Sequence, residues 1–384
     1  MTCELPYYNF LFYYYLDVSH NHFHHYIFWF HSSTRHKMTS THSLWTWKPV
    51  AQDELFARGY HTCTVIRGKL YIFGGVKSGD PKAVPLGDVV AFDPEQMIVQ
   101  STTHQDAFKR SHHDAVELGD RWLCVVGGWD GSRRVSSVFP YDTEKEEWEP
   151  WEEAPTNNPP VGLSSHTCTK ISDYELRVVG REGGLRMQRR YASIYTLRVN
   201  TSTKKYWYKE EESRTASRSG HAAVLLPSDT TSTKTSGYSL YVFGGRESSS
   251  VDFAGQWNKD KIQVRAGHCP KLTEQLARLV NRDGISRTAP KGLKHHSCSL
   301  IGPFLVVFGG ESLSKSRDAI CNDLFIYDTR CSPPSWFHFP GSDNRLKRVG
   351  HRTCLVNDSL YLVGGFGADG KTPCSDICVL DFLQ

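Results

Sequence analysis

RGYHTCTVIRGKLYIFGG, residues 58 to 75, decides how this chain folds. It holds an arginine, a histidine three residues later, an apolar run and a closing pair of glycines, and the cassette returns along the sequence. The runs read LYIFGG to Gly74 and Gly75, WLCVVGG to Gly127 and Gly128, LYVFGG to Gly244 and Gly245, FLVVFGG to Gly309 and Gly310, and LYLVGG to Gly364 and Gly365. A sixth, LRVVGR, ends at Gly180 and Arg181 with the second glycine lost. Upstream stand His61, His113, His166, His221, His296 and His351, four of them with an arginine three residues before: Arg58, Arg110, Arg218 and Arg348. A period of roughly fifty residues is the mark of a blade array.

Past each glycine pair a second pattern follows, a strand whose last residue is usually Asp: DVVAFD to Asp93, SVFPYD to Asp142, SIYTLR to Arg198, DLFIYD to Asp328 and DICVLD to Asp381. Trp148, Trp207 and Trp336 come next in their units. Each unit therefore reads as four short strands. Glycine fits where blades narrow toward an axis and backbones approach closely, because it lacks Cβ and tolerates positive φ. Tyr141, Tyr327, Trp148 and Trp336 offer flat apolar surfaces for interblade packing.

The combination of His, Gly-Gly, Tyr-Asp and Trp resembles the kelch repeat, which builds a β-propeller. The resemblance implies an all-β, six-bladed propeller of four-stranded antiparallel blades over residues 43 to 384. The last unit stops after its third strand, and Ser43 to Pro49, with Trp45 and Trp47, has the character of the missing outer strand. Residues 43 to 50 are expected to complete the last blade and remove two open edges. The family likeness also implies an intracellular, cytoplasmic interaction protein, with the nucleus as an alternative.

Composition bounds the function. Lys and Arg number 45 against 41 Asp and Glu, a net charge of +4 that implies neither nucleic acid nor an anionic membrane as partner. Eleven cysteines without a Cys-x-x-Cys pair suit a reducing compartment. Cys63, Cys168 and Cys298, two residues after their histidines, read as small buried residues of the first strand. Residues 1 to 42 share nothing with the repeats and are expected to be an unstructured or extraneous extension, with Met38 a candidate start. Their apolar stretch is shorter than the ~20 residues of a spanning helix, and Glu4 stands where a signal peptide is basic.

The fourth unit is interrupted by PSDTTSTKTSG, from Pro227 to Gly237, and by a longer insertion over about 246 to 294. Within it Leu272, Leu276, Leu279 and Val280 recur at helical spacing. The plain expectation packs this amphipathic helix on the side of blade four; the functional one docks Leu272, Leu276 and Leu279 in a partner's groove. No third strand is evident in this unit, and the insertion is expected to conceal one.

No catalytic, cofactor or metal constellation emerges. Kelch enzymes hold copper through a Tyr-Cys pair and histidines, or iron through Glu, Asp and His four residues apart. Here the histidines recur at equivalent places, which points to backbone bonding, and no Glu has Asp four residues later. What remains is a surface. The loops after the glycine pairs share one rim and carry Arg133, Arg134, Arg186, Arg189, Arg190, Lys315 and Arg317, which suit an acidic or phosphorylated peptide. Glu152, Glu153 and Glu210 to Glu212 are expected near the same end. The sequence thus reads as a monomeric, non-enzymatic protein-binding scaffold without a cofactor. A ubiquitin-ligase adaptor acting through the helix, or an enzyme with an unrecognised site, are the alternatives.

Overall fold

The computed structural model describes residues 13–17, 22–26, 44–102, 108–156, 158–183, 189–228, 237–245, 251–263, 268–312 and 320–383. Six antiparallel sheets form the blades. Blade one runs Thr62–Ile66, Lys69–Phe73, Val89–Asp93 and Ile98–Thr102 from the axis outward. Blade two is Asp114–Leu118, Trp122–Trp129, Arg134–Asp142 and Glu147–Trp148. Blade three is Thr167–Ser172, Glu175–Gly183, Arg189–Asn200 and Lys205–Glu211. Blade four is His221–Ser228, Gly237–Gly244 and Val251–Asn258. Blade five is Ser297–Ile301, Phe304–Phe308, Leu324–Asp328 and Ser335–Phe339. Blade six is Arg352–Val356, Ser359–Val363, Asp376–Phe382 and, from the other end of the chain, Trp45–Gln52. The first strands touch in sequence and the last returns to the first, so the ring is closed.

Closure follows the expected route. Trp45 lies opposite Phe382, Trp47 opposite Leu380 and Ala51 opposite Ile377. Trp47 is 2% exposed, with its ring 5.1 Å from that of Phe308 in blade five. The strand-ending acids also have a local reason. Asp93 accepts from the amides of Glu95 and Gln96, and Asp142 from those of Glu144 and Lys145, shaping the turn into the fourth strand.

Three expectations need correction. Within the N-terminal extension, expected to be unstructured or extraneous, Tyr13–Asp17 and His22–Tyr26 form a hairpin, and its second strand pairs with Ile98–Thr102 of blade one. The physical reason is the open outer edge of that blade, which offers unpaired amides and carbonyls to an aromatic-rich segment of high strand propensity. Met38 lies outside the described residues.

The insertion does conceal a third strand, Val251–Asn258, paired with Gly237–Gly244. The helix α1, Pro270–Val280, does not rest on blade four. Its buried residues Leu272, Leu276, Leu279 and Val280 join Ile301, Phe304 and Val306 of blade five and Trp45, Trp47 and Leu360 of blade six. Asp358, in a turn of blade six, accepts from the amides of Lys271 and Leu272 at 3.0 and 2.9 Å and so caps the helix start. With Leu272, Leu276 and Leu279 buried, this face is occupied by the chain's own core and is not offered to a partner. Leu276→Ala is expected to cost about 2–5 kcal/mol, read as a lower denaturant midpoint at unchanged slope. A change under about 0.5 kcal/mol would contradict this docking.

The third correction concerns Glu152–Glu153, expected near the basic rim. They pair in parallel with Lys205 and Tyr206, at the opposite end of blade three.

Candidate interaction face

The face where second-strand loops leave and first strands begin is organised by six residues that each precede a repeat histidine. The amide of Tyr60 donates to the carbonyl of Gly350, Gly350 to His295, His295 to Gly220, Gly220 to Ser165, Ser165 to His112, and His112 back to Tyr60, at 2.7 to 3.1 Å. All six residues have positive φ, between 52° and 67°, which turns the chain inward at the axis. Over this ring of backbone bonds the rings of Tyr60 and His112 stack with centroids 4.3 Å apart, and His295 meets Tyr60 edge-on at 5.0 Å. Burial, with Arg134 adding to it, pushes His112 down to about 4, so the plug is uncharged at neutral pH.

Below the plug lies a channel cavity of about 260 Å³ walled by the first strands. Arg352 crosses it from blade six, pairing with Asp114 of blade two at 3.2 Å and donating to the carbonyl of His61. Asp114 also accepts from the amide of Cys168 in blade three. The pair spans blades six, one and two, with Asp114 buried and the Arg352 side chain 38% exposed. Cys63, Cys168 and Cys298 stand on its wall or beside it, Cys168 buried and the other two half-buried; burial raises all three thiols.

The repeat histidines hold neighbouring blades together. A Cβ on Gly74 would lie 2.4 Å from the Arg110 carbonyl and 2.6 Å from His113 Cε1, so the glycine is required for the blades to approach. Five further pairs repeat this: Gly127 with His166, Gly180 with His221, Gly244 with His296, Gly309 with His351, and Gly364 with His61. His166 Nε2 lies 3.0 Å from the Val126 carbonyl, and His351 Nε2 is 3.0 Å from that of Phe308. His113 and His221 reach instead the hydroxyls of Thr62 and Thr167, each at 2.9 Å. All six are buried and held below the ordinary histidine range by that burial, His166 and His296 to about 4 and His351 to about 3.

The repeat arginines are equally structural. Arg58 pairs with Asp88 at 2.7 Å and donates to the Gly74 carbonyl. Arg348 does the same with Asp376 and Gly364, and Arg218 with Asp252 and Gly244. Asp88 and Asp376 open the motifs DVVAFD and DICVLD, and Asp252 stands near the start of the third strand of blade four, but their pairing with the arginines was not read from the sequence. In blade three Leu163 replaces the arginine, and Arg181, in the place of the lost glycine, donates to Ser193 at that same position. The two departures compensate one another.

Of the residues expected on the basic rim, Arg133 is there, 62% exposed and loosely paired with Asp130 at 3.9 Å. Arg134 is corrected. It is buried, paired with Glu182 at 3.4 Å and set over the Trp129 ring, which makes it part of the blade packing. Arg189 and Arg190 lie in a strand opposite Gly183 and Glu182, their side chains outside the described residues, as are Arg186, Lys315 and Arg317. Cations not singled out from sequence complete the rim: Lys77 and Lys82 from blade one and Lys371 from blade six are exposed. Their loops adjoin, the Gly79 amide donating to the Lys371 carbonyl at 3.4 Å. The carboxylates between them are engaged by their own loops. Asp80 accepts from the Lys82 amide, Asp130 from those of Ser132 and Arg133, and Asp369 from the Thr372 hydroxyl and two amides, which hold it down to about 2. Val84 and Val161, 67% and 58% exposed, add apolar contacts on the same side. Among the described residues no group of His, Cys, Asp and Glu is arranged to hold a metal, and no helix is long and apolar enough to cross a membrane.

Six blades joined by paired histidines and glycines define a kelch-type propeller, and the chain belongs to the kelch β-propeller family. The Attractin/LZTR1 β-propeller model matches residues 87–372, and the kelch motif matches residues 57–96. More particularly, the chain is 56% identical over 341 residues to Kelch domain-containing protein 9 of Mus musculus, covering 89% of this chain and 96% of the relative. Kelch domain-containing protein 9 of Homo sapiens is 54% identical over 339 residues, 88% and 96% of the two chains. A more distant likeness, 26% over 272 residues, joins 67% of this chain to 9% of Multiple epidermal growth factor-like domains protein 8 of Mus musculus. A protein-interaction role in general accords with this family.

Proposed function

We propose that this chain is a non-enzymatic scaffold that captures an acidic or phosphorylated segment of another protein on the rim of blades six, one and two. The observation that carries this reading is the exposure of Lys77, Lys82, Arg133 and Lys371 beside carboxylates already committed to their own loops. Four cations against the three carboxylates Asp80, Asp130 and Asp369 leave a weakly positive, partly apolar surface around an uncharged aromatic plug. Exposed cations of this kind steer an anionic ligand and select against basic ones. The same reading takes the protein as a cytoplasmic monomer that needs no cofactor.

The test uses immobilised pools of synthetic peptides, one rich in Glu and phosphoserine and one of equal length rich in Lys. Wild-type chain is expected to be retained by the acidic pool and released by salt. The variant K77E/K82E/R133E/K371E is expected to lose roughly tenfold or more in affinity at an unchanged thermal midpoint. Equal retention of variant and wild type would overturn the proposal.

A further inference from the structure

Blade four is the one blade whose described strands number three. In the others the fourth strand is Ile98–Thr102, Glu147–Trp148, Lys205–Glu211, Ser335–Phe339 and Trp45–Gln52. In blade four Val251–Asn258 pairs inward with Gly237–Gly244, and among the described residues no strand pairs with its outer edge. The chain that elsewhere turns back as a fourth strand is routed away. After Asn258 it makes a 3-10 turn at Lys259–Lys261, and the Gln263 amide donates to the Ile171 carbonyl of blade three. It then enters α1 under blades five and six and rises outside blade five, where the His338 amide donates to the Ser286 carbonyl.

The edge left behind is well held and, at Val251 and Phe253, apolar. Asp252 is fixed by Arg218, and the Trp257 indole donates to Glu175 of blade three at 3.3 Å. Phe253, 52% exposed, and Val251, 38% exposed, stand on the same strand, with the Phe253 ring meeting that of Tyr241 edge-on at 6.0 Å. The strand has a register shift between Phe253 and Gly255, and its outer edge with exposed apolar side chains at Val251 and Phe253 is a template for a further strand.

We propose that this edge binds an extended segment of a partner protein as an antiparallel fourth strand with aromatic residues at two alternate positions. The chemistry of the guest is set by the fourth strands this molecule already holds. Trp45 and Trp47, Tyr206 and Tyr208, and Phe337 and Phe339 are each buried pairs two residues apart. Blade six also shows that these blades accept a fourth strand delivered from far away, since Trp45–Gln52 completes it from the other end of the chain. Because the host strand is already fixed, the entropy of ordering falls on the guest alone. This site is independent of the basic rim, and neither depends on the other.

The experiment presents the full chain to a displayed library of random ten-residue peptides and maps the selected peptides by amide hydrogen exchange. The expected result is enrichment of aromatic residues at alternate positions, with exchange across Val251–Asn258 slowed about tenfold or more. V251K/F253K, both at exposed positions, is expected to abolish that binding while leaving the thermal midpoint unchanged. Selected peptides that protect other segments would overturn the proposal. So would amides of Val251–Asn258 that already exchange as slowly in the free chain as those of Ser335–Phe339, or that become protected through self-association as protein concentration rises.

Discussion

Deleting residues 45 to 52 is expected to abolish cooperative folding of the propeller. The segment supplies a whole strand of blade six, seven of its residues in register with Asp376–Phe382, and it buries Trp45, Trp47 and Ala51. Its loss uncovers Leu380 and the α1 face that packs in the same cluster, and opens an edge at the seam of the ring. Two buried tryptophans contribute about 3 kcal/mol each from apolar burial, and the ladder and the newly exposed neighbours add to that. The total approaches the 5–15 kcal/mol or so that holds an ordinary domain together. The milder Trp47→Ala is expected to cost about 3–5 kcal/mol, measured by urea unfolding at pH 7.5. A deletion variant with a wild-type midpoint would show that the ring does not depend on its terminal strand.

Mild acid is the second large effect. The six repeat histidines are buried and titrate well below 6.5 in the folded state, while in the unfolded chain they titrate near it. As pH falls below about 6.5 the unfolded chain gains protons that the folded one refuses until about 4 or lower. Stability is therefore fully present above that point and drains away below it, by about 1.4 kcal/mol per pH unit for each histidine and roughly 8 kcal/mol per unit for the six together. Unfolding is expected between pH 6 and 5, well before carboxylates such as Asp142 and Asp376, themselves held below the usual range, begin to matter. The check is proton uptake on urea unfolding at pH 6.0, where His112 and His295, likewise held down by burial, add to the six and each unfolded imidazole is about three-quarters protonated, so about six protons per chain are expected; uptake near zero would contradict it.

The blades were legible because they repeat. A His-Gly pair imposes the same close approach at every seam, so its residues cannot vary freely, and the register of strands follows from it. The terminal strand was legible for the same reason, a Trp pattern missing at one end and present at the other. The arginine partners Asp88 and Asp376 were visible in principle as the first residues of motifs that end in Asp, and the exchange of Leu163 and Arg181 in blade three carried its own signal. Other features left none. The ring from Tyr60 to Gly350 is made by backbone groups, so its positions hold Tyr, His, Ser and Gly without a common chemistry. The apolar face of α1 announces burial but not its partner; blades five and six were chosen by the path of an insertion that no repeat constrains. Arg133 and Arg134 are adjacent in sequence, yet one faces solvent and the other a half-buried Glu182, a difference set by strand alternation at the edge of a loop.

The most direct test of the interaction face is amine-reactive cross-linking of the full chain in cells, followed by mass spectrometry of the linked lysines. Binding on the rim of blades six, one and two predicts that cross-links to other proteins concentrate at Lys77, Lys82 and Lys371. Their concentration instead at Lys69, Lys145 and Lys204, in the turns at the opposite end of the blades, would contradict it.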